Sequence, residues 1–338
     1  MNNKDYKKTH NTYVDTINKN YVNKEELILP SNTNFDEHVY ISILGMTPKN
    51  YNLYLINAFF CYSLLRYYGH TDKIICYYLG ETEKPNNKWL KLFEPFNIEW
   101  RDIYDKNLLY PPMHPPKWGY QTTRPYIILN TEYYNCTVLD PDVFCTDSHN
   151  HLTSLYELYV WQMPGSLIQD YNKVLNPDIK EKTLDFIFGC DTPTAKLRVL
   201  DVPVFFYKKS NKFMNILSRI KFWSDNADFY FRYSLLEMHL WHYSIFKTYH
   251  KDPNNIFINS ETITRQGHIN TDDFAGFFLN ENNKILFEHR AGNKKPFFNP
   301  SSKKVEFPIF DDDPIIDIKL NLLDKLNRYI IACNNYIK

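Results

Sequence analysis

Two acidic side chains stand one residue apart in Val138-Leu139-Asp140-Pro141-Asp142-Val143-Phe144, directly after an apolar, strand-like run. In an open α/β sheet the ligand crevice lies beyond the carboxyl ends of the strands. Two hard oxygen donors at such a place can hold Mg²⁺ or Mn²⁺, and the ion in turn neutralises a diphosphate. The same residues also make an ordinary solvated turn that ends a strand, so the pair by itself is a weak signal. Far along the chain, His289-Arg290-Ala291-Gly292-Asn293-Lys294-Lys295-Pro296-Phe297 follows a second strand-like run, Lys284 to Glu288. A neutral imidazole at His289 supplies a third ligand suited to Mn²⁺. Gly292 permits close backbone approach, and Lys295 can meet a phosphate. Glycine is scarce, 9 in 338 residues, which makes its use here less incidental. Taken alone, this segment reads equally well as a cationic surface loop.

Taken together, in this order, the strand-end Asp140-Pro141-Asp142 and the remote His289, Gly292, Lys295 and Pro296 resemble glycosyltransferase family 8, the glycogenin-like enzymes with a GT-A fold. That family ends its second motif with Trp where this chain has Phe297. Met46-Thr47-Pro48-Lys49-Asn50-Tyr51 occupies the place of the family's nucleotide-binding loop, and Ala58 and Ser63-Leu64 are similar to its small-residue and Ser-Leu pattern. Arg124 stands one helix before the acidic pair, about where the family carries a basic residue facing the donor phosphates. The likeness covers roughly residues 37 to 300 and thins between about 147 and 200.

The resemblance implies a metal-dependent hexosyltransferase that takes a sugar from a UDP-sugar, UDP-glucose-like, with retention of configuration, and gives it to a glycan or protein acceptor. It assigns Asp140, Asp142 and His289 to the metal, and Arg124 and Lys295 to the diphosphate, with the Gly292 backbone close by. Tyr51, or else Tyr54, stacks on the base, and backbone near Gly45 and Thr47 binds its edge. Two departures concern the sugar end. The family's F-N-x-G-V strand has its nearest match in Leu200-Asp201-Val202-Pro203-Val204, with Asp201 for Asn and Pro203 for Gly. Asp201 is the candidate for hydrogen-bonding the donor sugar. No D-Q pair is evident, and Asp225, Asp228 and Glu237 are the local candidates. An inverting enzyme of the same fold would draw its general base from these three. A sugar-nucleotide-binding protein without turnover also stays open. A nucleotidyltransferase would need a Gly-rich loop, and none follows the first strand.

The elements that must position these groups follow from periodicity. Val39 to Gly45 is a short, β-branched run that suits a buried strand. Asn52 to Tyr68 is long, apolar and free of Pro and Gly, hence a helix, with Gly69 placed to end it. Lys73 to Leu79 reads as a strand, Asn86 to Phe96 as a short helix, and Asn97 to Ile103 as a strand. After a Pro-rich loop come a helix from Gln121 to Glu132, with Pro125 in its first turn, and a strand at Cys136 to Leu139. This alternation predicts crossovers between parallel strands. The expected fold class is α/β: a single Rossmann-like, GT-A domain with a mostly parallel sheet flanked by helices. Leu322, Leu326, Tyr329 and Cys333 share one face of a C-terminal amphipathic helix. The expected division is an extension at 1–36, a transferase domain at 37–300 and a tail at 301–338.

Bulk properties exclude some classes. The 39 basic residues balance 39 acidic ones, so no overall field attracts nucleic acid or an anionic membrane. No C-x-x-C pair occurs among the 6 Cys, which predicts buried free thiols in a reducing compartment. No apolar run approaches the ~20 residues of a membrane span, and the polar N-terminus lacks a signal-peptide core; a cytoplasmic protein is expected. A homodimer through the C-terminal helix stays open.

Overall fold

The computed structural model describes residues 27–44, 51–80, 84–110, 124–148, 156–162, 200–225, 241, 244–245, 256–259, 276–279, 285–289, 298–299, 304–305, 319–320, 322–328 and 330–331. β1 (Asn34–Leu44), β2 (Ile74–Tyr78), β3 (Ile98–Asp102) and β4 (Tyr133–Leu139) pair in parallel, with β1 between β2 and β4 and with β3 outside β2. The crossover helices are α1 (Tyr51–Tyr67), α2 (Asn87–Phe93) and α3 (Arg124–Asn130). All four strands therefore point their carboxyl ends the same way, toward the turn at Asp140.

Beyond β4 the sheet changes sense. β5 (Val143–Cys145) leaves it, and β6 (Leu158–Gln162) and β7 (Leu200–Lys208) return to it. β7 runs antiparallel to both β4 and β6, and β8 (Ile256–Asn259) lies parallel to β6 after α4 (Asn211–Asp225). Four of the six neighbouring pairs are parallel, giving the order β3-β2-β1-β4-β7-β6-β8. A second, antiparallel sheet has β10 (Ile285–His289) between β5 and β9 (Gly276–Leu279), and β11 (Phe298–Asn299) pairs with β12 (Lys304–Val305). The architecture is the expected α/β sheet, mostly parallel and flanked by helices.

Local chemistry explains the boundaries. Gly69, at φ +87, lets the chain leave α1 in the left-handed conformation. The His70 and Gly69 amides then reach back to the Leu65 and Arg66 carbonyls, the paired closure of a Schellman end. Asn86 caps α2 by accepting from the Lys88 and Trp89 amides. α4 had a readable signal that periodicity over the N-terminal half did not reveal: Ser210 accepts from the Phe213 amide, and Phe213, Leu217 and Ile220 repeat at helical spacing.

Two buried layers sandwich the large sheet. One joins Tyr40 and Leu44 with α1, Phe144, Phe287 and residues Leu322, Leu326 and Ile330 of the C-terminal helix. The other joins Val39, Ile41 and Ile43 with α3 and α4, and Leu27 and Leu29 pack against it. β1 opens at Asn34, earlier than the strand expected from Val39. Leu322 and Leu326 face the core as expected and Ile330 joins them; Tyr329 and Cys333 lie outside the described residues. Cys61, Cys76, Cys136 and Cys145 are buried free thiols. No helix among the described residues is long and apolar enough to cross a membrane.

Candidate active site

The acidic pair sits on a tight turn at the carboxyl end of β4. The Val143 amide donates to the Asp140 carbonyl at 3.0 Å, closing a four-residue turn. Pro141 supplies the fixed φ such a turn needs at its second position. The Asp140 amide donates to the Pro203 carbonyl at 2.7 Å, which ties the turn to β7. β7 carries more residues than β6 over this stretch, since Tyr159 lies opposite Phe206 while Trp161 lies opposite Asp201. Pro203 falls inside that irregularity, as expected of a residue with no amide hydrogen to give a neighbouring strand. Both carboxylates are largely enclosed, Asp140 at 9% and Asp142 at 8% exposure.

The turn sends the chain straight into β5, and β5 brings the remote segment back. In the β5–β10 ladder Cys145 faces Phe287, Phe144 faces Glu288, and Val143 faces His289. His289 thus lies opposite the residue that follows Asp142, about one strand spacing away, although 146 positions separate Val143 from His289 (289 − 143). Asp201 lies on β7 beyond Pro203, on the side of the sheet where β4 ends.

Arg124 opens α3, and its Nη2 donates to Asp140 Oδ1 at 2.8 Å. Its side chain is 2% exposed, so a phosphate arriving from solvent would meet little of it. The ion pair, rather than an open cationic surface, is what the structure builds with this residue. α1 forms the opposite wall. Cys61 Sγ is 4.0 Å from the Asp140 carbonyl, and Tyr54 lies two helical turns nearer the carboxyl ends of the strands on that face. Burial raises the Tyr54 phenol pKa, and the Asp142 and Asp140 charges raise it further. Burial likewise lifts the Cys61 thiol well above its usual range, with Cys145 and Asp142 adding to it. Both groups stay protonated and neutral. Tyr54 was the lesser alternative for the aromatic wall; its position seven residues before Cys61 is the signal that joins it to the acidic turn.

Tyr51 is the first residue of α1, and its side chain is outside what is described. Gly45, Thr47, Asp228, Glu237, Gly292 and Lys295 lie outside the described residues. Asp225 ends α4. Among the described residues, whose side chains do not include that of His289, no group of three His, Cys, Asp or Glu is gathered as a metal site. Asp140 and Asp142 are two enclosed oxygen donors of the kind Mn²⁺ or Mg²⁺ takes, and the backbone of His289 lies one strand away.

No protein-family model matches the chain, and no curated protein matches it. Solved structures do. The chain is similar to the WbbM bifunctional glycosyltransferase at 14% identity, over 80% of this chain and 48% of that one, with a TM-score of 0.43. It therefore spans about half the length of WbbM. It is similar to mouse xyloside xylosyltransferase 1 at 11% identity, over 66% and 85% of the two chains, with a TM-score of 0.41. It is also similar to the galactosyltransferase LgtC, solved with donor and acceptor sugar analogues, at 12% identity over 79% and 91%, with a TM-score of 0.39.

Proposed function

We propose that this protein is a metal-dependent glycosyltransferase that moves a sugar from a nucleoside-diphosphate donor to an acceptor hydroxyl. The observation that carries the reading is the β5–β10 register, which sets His289 beside the Asp140–Asp142 turn at the carboxyl end of the parallel strands. The donor's diphosphate needs cationic charge when it leaves, and a divalent ion held by Asp140, Asp142 and His289 supplies it as a Lewis acid. The chain's own residues orient that charge. The turn's tie to Pro203 fixes the Asp140 backbone, Arg124 fixes one of its carboxylate oxygens, and enclosure strengthens every electrostatic contact made there. Tyr54 offers a neutral phenol beside both aspartates. Lys295, the Gly292 backbone and Tyr51, with Gly45 and Thr47, complete the assignment to diphosphate and base; Asp201 takes the donor sugar. Uridine as the base, glucose as the sugar and retention of configuration rest on the resemblance to family 8 alone.

The irregular β7 strand around Pro203 favours a second reading, a protein that binds a sugar nucleotide without turnover, because it alters the strand on which Asp201 would meet the sugar. One assay separates the two. Incubation with a panel of sugar nucleotides and Mn²⁺ releases free nucleoside diphosphate, even by slow hydrolysis, if the protein is an enzyme. Metal-dependent thermal stabilisation by one nucleotide without release supports binding alone. Absence of both contradicts the proposal. NMR of the product's anomeric centre then distinguishes retention from an inverting mechanism based on Asp225, Asp228 or Glu237.

A further inference from the structure

We propose that Arg124 is a positioning residue acting through Asp140: a fixed internal cation that holds the site's affinity for a bare divalent ion low, so that the ion binds well only with the diphosphate. The inference rests on the metal reading above and adds its regulation. Three features of the pair carry it. Its geometry is direct, with Arg124 Nη2 at 2.8 Å from Asp140 Oδ1. It is enclosed, the two side chains being 2% and 12% exposed, so solvent screens the guanidinium weakly. It is anchored at both ends, since Arg124 begins a helix whose residues through Leu129 are buried and Asp140 is pinned by its amide to β7. Arginine stays charged at any working pH, so its charge cannot be discarded when a metal arrives.

Charge counting gives the consequence. Two carboxylates alone would present two negative charges to a divalent ion; with the guanidinium on Asp140 the set presents one. A divalent ion entering without a counter-anion then faces a like charge across a single carboxylate group. The donor's diphosphate brings negative charge of its own and relieves that repulsion, so ion and nucleotide bind with positive coupling. Hence Arg124 exerts its effect on the site without touching the donor.

Titration calorimetry with Mn²⁺ alone, at one pH and low salt, tests this on the full chain. Arg124→Met and Arg124→Gln are expected to bind Mn²⁺ about tenfold or more tightly than the wild type, and Arg124→Lys to stay within about threefold of it. In the same variants the benefit that a nucleoside diphosphate confers on Mn²⁺ binding should shrink. Equal or weaker Mn²⁺ binding by the Met and Gln variants overturns the proposal. Should those variants not fold, the wild-type chain decides: it should bind Mn²⁺ at least about tenfold more tightly with a nucleoside diphosphate present than without, and equal affinity overturns the proposal. Failure of the underlying reading looks different, because Asp142→Ala would then leave Mn²⁺ binding by the otherwise unaltered chain unchanged.

Discussion

The two ends of the large sheet use polar side chains in opposite ways. At the amino ends of the parallel strands, polar groups serve the chain itself. His38 places Nδ1 2.9 Å from Asp72 Oδ2 and Nε2 2.7 Å from Thr137 Oγ1, bridging β1, β4 and the approach to β2. Arg66 donates to the carbonyls of His70, Asp72 and Phe96, stitching the end of α1 to its neighbours. Lys209 donates to the carbonyls of Leu129 and Thr131, capping α3 from inside the protein. At the carboxyl ends, two carboxylates, a guanidinium and a phenol converge on one turn, and a distant strand delivers a histidine to it. At the amino ends the cations close on backbone carbonyls, whereas at the carboxyl end Arg124 closes on the Asp140 carboxylate and Asp142 shares the same enclosed turn.

The sharpest way to break this comparison is Asp142→Ala. Loss of a metal-held carboxylate at the reacting centre should lower Mn²⁺-dependent nucleoside diphosphate release by about two orders of magnitude or more, while circular dichroism stays unchanged. An activity loss that tracks unfolding would place Asp142 with the structural groups instead. Arg124→Met should be the most destabilising of the site variants, by about 3–5 kcal/mol in chelator, because it leaves Asp140 enclosed without its guanidinium. Mn²⁺ should restore part of that loss in urea denaturation; the comparison fails if added metal makes no difference.

Lys209 gives the structural end a pH signature. Burial lowers its pKa from 10.5 to about 8. Between these values the unfolded chain holds a proton that the folded chain has released, so this group makes stability rise with pH across the window. Wild type should therefore gain on Lys209→Met by about 2–3 kcal/mol between pH 8 and pH 10.5, with the difference between the two proteins removing the titration of other groups. A flat difference contradicts the assignment. The smallest effect is expected from His38→Ala, about 1–2 kcal/mol for the lost bonds to Asp72 and Thr137, with Mn²⁺ binding untouched. A change in metal affinity there would dissolve the distinction between the two ends.

Much of this arrangement was legible in order along the chain. The apolar run of β1, the Pro-free helix ending at Gly69, and the alternation through β4 each carry a local signal of period or punctuation. The Asp-Pro-Asp turn was legible for the same reason, since Pro141 and the strand before it are contiguous. What escaped was the return of the chain. β5 has three residues, too few for a periodic signal, yet it is the strand that places β10. The antiparallel sense of β7 follows from crossovers that no local pattern encodes, and the Arg124–Asp140 bond depends on a rotamer, not on a spacing. The resemblance assigns Arg124 to the diphosphate from its place one helix before the acidic pair, while its enclosure and its bond to Asp140 are properties of packing around α3.

The central claim is that Asp140, Asp142 and His289 converge on one divalent ion, and Mn²⁺ binding followed by electron paramagnetic resonance in His289→Ala tests it most directly. The account predicts a loss of affinity comparable to that of Asp142→Ala, with the variant's melting curve in chelator matching the wild type. Wild-type Mn²⁺ affinity in His289→Ala would contradict it.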